Sequence, residues 1–126
     1  MVTITGSFSG YSVDDTAAAL AFYRDTLGLD AVDNGMGLDV GLPGGQHVFL
    51  YPKDDHAPAT FTVLNLEVAD IDAAARELAD AGVTLERYEG MPQDEHGIMR
   101  GKATDQGPDI AWFLDPAGNI LSIINE

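Results

Sequence analysis

The sequence predicts an α+β chain built from two βαβββ modules, and three observations support this fold class. An Asp that begins an amphipathic helix and a Gly that ends it occur twice along the chain. A tight turn containing Pro and Gly leads into an apolar strand, also twice. A polar linker, residues 52–60, separates modules of similar length, about 1–57 and 60–126. Because one such unit cannot cover its own sheet, we expect the two modules to pair within one domain.

The two predicted helices span Asp15–Leu27 and Ile71–Ala81. Each begins next to an Asp that can cap free backbone N–H groups, and Ala-rich sequence follows. Gly28 and Gly82 come directly after the helical patterns, where a left-handed cap is usual. Apolar residues recur at helical spacing in both segments, which indicates one buried face each.

Strands are predicted to follow the helices. The turns Leu42–Gln46 and Asp115–Asn119 each contain Pro, which fixes φ, and Gly, which permits positive φ. The apolar segments His47–Tyr51 and Ile120–Ile124 follow these turns directly. We interpret the residues of the Asp115–Asn119 turn as structural, since turn chemistry accounts for each of them.

Composition limits the function classes. Among 126 residues there is no Cys, so disulfides and thiolate metal sites are excluded, and the formal charge of −15 disfavours nucleic acid and anionic membranes as partners. There is neither a signal-peptide pattern nor a run of apolar residues long enough to span a membrane, so we expect a cytoplasmic protein. The negative charge fits a cationic ligand, and it fits salt adaptation equally well.

Two motifs resemble those of a known superfamily. Phe22–Leu29 (FYRDTLGL) is similar to the end of the first helix, and Phe113–Asn119 (FLDPAGN) to the last hairpin, in vicinal oxygen chelate proteins, which include glyoxalases, bleomycin-resistance proteins and extradiol dioxygenases. The resemblance covers nearly the whole chain. It implies an open eight-stranded cup that binds ligands inside (the glyoxalase/bleomycin resistance/dihydroxybiphenyl dioxygenase-like fold). It also implies a homodimer, formed side by side or by module swapping.

Many members of this superfamily chelate a divalent metal on the floor of the cup, whereas bleomycin-binding members do not. The resemblance places the ligand positions at Phe8, Phe49, Val63 and Ser122 of this chain. Three of these residues are apolar and the fourth is a neutral hydroxyl, while a transition metal needs imidazole, carboxylate or thiolate donors. We therefore expect no metal and no other cofactor.

Residues near these positions are candidates for contacting a small molecule. By strand alternation His47 shares a face with Phe49, and Asn65 and Glu67 share one with Val63. His47 fits either a ligand contact or a solvated sheet edge, and Glu67 either a polar anchor or a solvated strand end. The candidate ligand-binding residues are Phe8, His47, Phe49, Tyr51, Asn65, Glu67, Met99, Arg100, Trp112 and Ser122, and no catalytic residue is assigned.

The segment Tyr88–Asp109 is rich in Gly and contains two of these candidates, Met99 and Arg100. One interpretation is a flexible lid over the bound ligand. The other is a long, partly paired hairpin with solvated charges.

Three functions remain open at this stage. The first is metal-independent binding of an aromatic or cationic compound, as in drug sequestration. The second is an enzyme, a lyase, isomerase or dioxygenase relative, that uses either a noncanonical ligand set or metal-free acid–base catalysis by His47 or Glu67. The third is a module whose function is its dimer surface. The sequence favours the first because it shows no convergent cluster of titratable residues.

Overall fold

The computed structural model describes all residues, 1–126, and contains two α-helices and eight strands. The elements are β1 (Ser9–Val13), α1 (Thr16–Ala21), β2 (Asp30–Asp33), β3 (Leu38–Gly41), β4 (His47–Pro52), β5 (Thr62–Glu67), α2 (Ile71–Asp80), β6 (Met99–Arg100), β7 (Asp109–Leu114) and β8 (Ile120–Asn125). A π-helical turn, Phe22–Thr26, continues α1, and a 3₁₀ turn, Lys102–Thr104, follows β6. None of the helices is long and apolar enough to cross a membrane.

The strands form two four-stranded sheets with the same order, β1-β4-β3-β2 and β5-β8-β7-β6. In each sheet the first and fourth strands of the module pair in parallel, and the remaining pairs are antiparallel. The chain divides into two compact units, Met1–Pro58 and Ala59–Glu126, each holding one sheet and one helix. The α+β fold class predicted from the sequence is confirmed.

Both helices begin as the sequence predicts. The carboxylates of Asp15 and Asp70 each accept a hydrogen bond, at 3.0 Å, from the backbone N–H three residues further on. Gly28 and Gly82, which follow the helical segments, have φ values of 70° and 86°. These values lie in the left-handed region that glycine adopts without steric cost.

The first helix differs from the prediction in its second half. Regular α-helix ends at Ala21, and the N–H of Leu27 donates to the carbonyl of Phe22, five residues earlier, at 3.0 Å. The wider turn holds Tyr23 fully buried, with its hydroxyl 2.7 Å from that of Tyr11. Apolar spacing along the sequence fits either helix type and so cannot reveal the extra residue in this turn.

Each sheet has a helix face and an opposite face, which we call the open face. In the first sheet the helix face carries buried residues of β1, β3 and β4: Tyr11, Val13, Leu38, Val40, Val48 and Leu50. In the second sheet the helix face carries Ala111, Phe113, Leu121 and Ile123, all buried. Because side chains alternate along a strand, the residues between these project from the open face.

Candidate functional site

The open face of the first sheet carries an aromatic pair. The rings of Phe49 and Tyr51 are stacked, with centroids 6.2 Å apart and planes inclined by 25°. Tyr51 is 38% exposed. Gly37 lies against the ring of Phe49, since a Cβ added there would come within 2.9 Å of Phe49 Cζ. The absence of a side chain at this glycine therefore sets the position of the ring.

A contact between a histidine and a carboxylate lies on the same open face, beside the aromatic pair. His47 Nδ1 is 3.3 Å from Asp39 Oδ1, and both side chains are more than half exposed. Asp39 pairs across the β3–β4 ladder with Phe49, so its carboxylate is diagonal to His47. Sequence reasoning named His47 but missed Asp39, although the hairpin register contains the signal.

Phe8 lies directly before β1 and is 73% exposed. It therefore does not fill the floor of a cavity in its own module. Its part in ligand binding stays a prediction.

The open face of the second sheet carries a row of three candidates on neighbouring strands. Asn65 of β5 pairs with Ser122 of β8, which pairs with Trp112 of β7. Ser122 is fully buried and its hydroxyl donates to Asn65 Oδ1 at 2.6 Å. Because the carbonyl oxygen of Asn65 accepts this bond, the two N–H donors of its exposed amide remain available.

Trp112 is held edge-on to Tyr88. Its Nε1–H donates to Thr62 Oγ1 at 3.2 Å, and its ring centroid lies 5.6 Å from that of Tyr88, with the ring planes at 81°. The hydroxyl of Tyr88 is enclosed yet has no hydrogen-bond partner. Burial, with a smaller contribution from Glu86, raises the pKa of Tyr88, so the phenol stays protonated. Tyr88 was not among the predicted site residues, because it lies in a loop without strand alternation.

The remaining three candidates lie on the two edge strands of the second sheet, β5 and β6. Glu67 is exposed at the end of β5. Met99 is half-buried and pairs with Ile110, which places it on the open face. Arg100 extends from the helix side of the sheet, where its guanidinium lies 2.6 Å from a carboxylate oxygen of Asp72. Ligand contact by any of these three stays a prediction.

The loop before β6 is tied down by Asp94. Its carboxylate accepts hydrogen bonds from the backbone N–H groups of His96 and Ile98, both at 2.9 Å, and from Arg100 Nε at 2.9 Å. β6 then pairs with β7 over two residues. This arrangement favours the partly paired hairpin over the lid as the interpretation of the segment.

The donor set on the open faces does not fit a divalent metal. Phe8, Phe49 and Val63 have no donor atoms, and the hydroxyl proton of Ser122 is committed to Asn65. No group of three or more His, Asp or Glu side chains converges anywhere in the chain. Transition-metal sites usually take at least three such ligands from the protein.

The strand order is the same in both modules, as the resemblance to the superfamily predicts, and a comparison of the sequence with family models gives the same assignment. A sequence model of the Glyoxalase/Bleomycin resistance protein/Dioxygenase superfamily matches residues 6–123. The chain belongs to this superfamily. No curated protein matches the sequence at a significant level.

Solved structures of the superfamily resemble the chain over its whole length. A superfamily member from Sphaerobacter thermophilus is 29% identical, with a TM-score of 0.67, and the match covers 97% of this chain and 98% of that one. TnmS3, an antibiotic binding protein from Streptomyces sp. CB03234, is 22% identical, with 98% of each chain covered and a TM-score of 0.65. Lactoylglutathione lyase from Agrobacterium tumefaciens is 21% identical, with 96% and 92% covered and a TM-score of 0.66. The last two show the fold alone, since the superfamily includes both binding proteins and enzymes.

Proposed function

We propose that the protein binds a planar, aromatic and preferably cationic small molecule on the open side of its sheets, without a metal ion. The stacked pair of Phe49 and Tyr51 carries this proposal. Phe49 occupies a position at which the resemblance expects a metal ligand, and it supplies an aromatic surface instead. Flat aromatic ligands stack favourably on such rings.

Charge on the first open face supports a cationic ligand. Asp39 projects next to Phe49, and the chain as a whole carries a formal charge of −15. A cation is therefore attracted at long range and can pack over the aromatic rings at short range. Binding of an antibiotic by the similar fold of TnmS3 makes sequestration of a drug-like molecule the corresponding biological role.

The second open face supports hydrogen bonding. The amide N–H groups of Asn65 are neutral donors on the same open face as the buried ring of Trp112. A few fixed polar groups in apolar surroundings are the usual source of specificity in small-molecule sites. These donors suit carbonyl or ether oxygens of a ligand.

Isothermal titration calorimetry with three probes tests the proposal. We expect ethidium, a planar cation, to bind with saturation, anthraquinone-2-sulfonate, a planar anion, to bind more weakly, and tetraethylammonium, a non-planar cation, not to bind. Phe49→Ala should weaken ethidium binding about 3- to 10-fold, the loss expected for one aromatic stacking contact.

Phe61→Ala is the matched control, because Phe61 is 67% exposed and lies outside the strands. Equal losses in both variants, or no saturable binding of ethidium, would sink the proposal. EDTA should leave the ethidium affinity unchanged. A fall in affinity on chelation, restored by a divalent metal, would overturn the metal-independent reading.

A second candidate function, metal-independent acid–base catalysis, rests on the pair of His47 and Asp39. A carboxylate that orients a histidine is a recurrent arrangement in general-base catalysis. The exposure of both side chains favours binding over catalysis, since catalytic pairs usually lie in a pocket that excludes water. Turnover of a bound probe that disappears in the His47→Gln variant would make catalysis, rather than binding alone, the preferred function.

We also propose a homodimer. The strands β1, β2, β5 and β6 lie at sheet edges, and Phe8 and Leu114 are large apolar residues left exposed. Unpaired edges and exposed apolar side chains favour association between copies. Sedimentation at micromolar concentration should show a dimer, and monomer alone would refute this proposal.

A further inference from the structure

A cavity of about 590 Å³ lies in the second module on the opposite side of the sheet from Trp112. One wall is α2, whose Asp72 pairs with Arg100 on the helix side of the sheet. The other walls are the segment that follows α2 and the loop before β6. The cavity is therefore separate from the open face of the second sheet, to which the proposed function assigns hydrogen bonds with the ligand.

The distribution of cations singles out this cavity. Of the six Lys and Arg residues, three form ion pairs: Arg24, Lys53 and Arg100. Lys102 donates to the side chain of Asn125. The remaining two, Arg76 and Arg87, have no carboxylate within salt-bridge distance, although the chain contains 21 Asp and Glu residues, and both line the cavity.

Arg87 is held in place before any ligand arrives. One terminal nitrogen, NH2, donates to the backbone carbonyls of Asp94 and Glu95 at 2.8 and 2.7 Å. The other N–H groups of the guanidinium make no hydrogen bond. Because the Arg87 guanidinium is already fixed at one nitrogen, it loses little conformational entropy when its free N–H donors bind an oxyanion.

The cavity wall also carries two carboxylates, Asp72 and Glu95. Both oxygens of Asp72 accept from Arg100, at 2.6 and 3.1 Å, and Glu95 lies 3.4 Å from His96. Between the charged groups the wall is apolar, with Ala75 and Ala79 on α2 and Val83 and Leu85 opposite. The cavity thus combines two guanidinium groups that form no salt bridge of their own with a lining that is apolar between the charged groups.

We propose that this cavity binds a small organic anion, whose carboxylate or phosphate is held by Arg76 and Arg87 and whose apolar part packs between α2 and the segment after it. Guanidinium groups match the planar and bidentate geometry of such oxyanions. The site is an exception on a strongly acidic surface, so it selects ligands of opposite charge to those of the open faces.

Two-dimensional ¹H–¹⁵N NMR spectra, recorded at constant ionic strength, test the proposal with defined probes. Benzoate and phenyl phosphate should cause saturable shifts in the amides of Ala79, Thr84 and Gly97, and neutral benzyl alcohol should not. Whichever of the two anions binds with the higher affinity identifies the preferred oxyanion, carboxylate or phosphate. Arg76→Gln should weaken binding roughly tenfold or more, since a hydrogen bond to a charged group is lost.

Arg24→Gln is the control, because it removes the same charge from an exposed ion pair in the other module. The absence of saturable shifts with both anions, or equal affinities in the Arg76→Gln and Arg24→Gln variants, would overturn the site. Arg76 is exposed on α2 and forms no ion pair, so its variant should fold normally. A failed ethidium titration would leave this result unaffected, because ethidium is assigned to the open faces.

Discussion

At the scale of single residues, the hydroxyl of Tyr88 is enclosed by protein atoms and has no hydrogen-bond partner. An unpaired buried polar group costs free energy, about 1–3 kcal/mol in mutational data. By contrast, the hydroxyl groups of Tyr11 and Tyr23 lie 2.7 Å apart and bond to each other in the core of the first module. The two modules therefore offer a matched pair of tyrosine-to-phenylalanine tests.

We expect Tyr88→Phe to leave the free energy of unfolding unchanged or to raise it, because the lost hydroxyl has no partner in the folded chain. Tyr23→Phe should lower it by about 1 kcal/mol, since it removes the buried hydrogen bond between the Tyr23 and Tyr11 hydroxyl groups. Urea titration followed by circular dichroism measures both. A loss for Tyr88→Phe as large as that for Tyr23→Phe would mean that the Tyr88 hydroxyl is satisfied in solution.

Residue positions were predictable from the sequence where strand alternation alone decides them. Alternation placed His47 with Phe49, and both indeed project from one open face. It could not show that Ser122 donates to Asn65, because that bond joins strands whose pairing depends on the long connection between them. It also could not find Tyr88, which lies outside any strand.

At the scale of elements, the β3–β4 hairpin depends on a close approach at Gly37. A Cβ at this position would lie 2.4 Å from the carbonyl oxygen of Leu50 and 2.9 Å from the ring of Phe49. A backbone oxygen cannot move aside as the end of a side chain can. The hairpin and the aromatic pair therefore share one steric requirement.

Gly37→Ala should lower the free energy of unfolding by about 1–3 kcal/mol, the usual cost of overpacking. Gly6→Ala is the control, because an added Cβ at Gly6 meets nothing within 4 Å. Thermal unfolding of both variants provides the comparison. Equal melting temperatures would show that the strand shifts without cost.

Arg100 joins β6 to α2 through Asp72 and to the preceding loop through Asp94. The hydrogen bond from Arg100 holds the pKa of Asp72 below its ordinary value of 3.8. Burial alone would raise the pKa of Asp94, but hydrogen bonds from Ile98, Arg100 and His96 outweigh it and the net shift is downward. Both carboxylates are thus more acidic in the folded chain than in the unfolded one.

A lowered pKa in the folded state stabilises the fold above the unfolded value and ceases to do so as pH falls through the folded value. We therefore expect Arg100→Gln to lower the melting temperature at pH 6, and the difference from wild type to shrink below about pH 4, near the unfolded pKa of Asp. Arg76 contributes only a smaller attraction to Asp72, after that of Arg100, so Arg76→Gln should show a weaker pH dependence of the same sign. A difference that is constant from pH 6 to 2.5 would contradict this account.

The elements themselves were predictable to different degrees. Both helix starts follow from Asp15 and Asp70, since capping is a local interaction between residues three apart. The π-helical turn at Phe22–Thr26 was not predictable, because the contact between Tyr23 and Tyr11 that accompanies it joins two elements. The short strand β6 was also missed, since pairing over two residues leaves no periodic pattern.

At the scale of the whole molecule, 21 acidic and six basic residues give a formal charge of −15. Two ion pairs exist within the first module, at Arg24 and Lys53, and each partner in them is about half exposed or more. Such pairs contribute little to stability. Repulsion among the remaining carboxylates therefore opposes folding at neutral pH.

Raising NaCl from 0.05 to 0.5 M should increase the melting temperature at pH 7, since salt screens this repulsion. The effect should vanish near pH 4.1, the calculated isoelectric point, where the net charge is close to zero. Scanning calorimetry at both pH values checks it. A melting temperature at pH 7 that is flat or falls with salt would show that repulsion is not a significant opposing force.

The contact between Trp112 and Tyr88 has a consequence for how unfolding can be observed. Trp112 is the only tryptophan and lies in the second module, whereas Tyr11, Tyr23 and Tyr51 all lie in the first. Fluorescence excited at a wavelength that only indole absorbs therefore reports on one half of the chain, while far-ultraviolet circular dichroism reports on both. Whether the two signals change together distinguishes a duplicated chain that unfolds as one cooperative unit from one whose halves unfold separately.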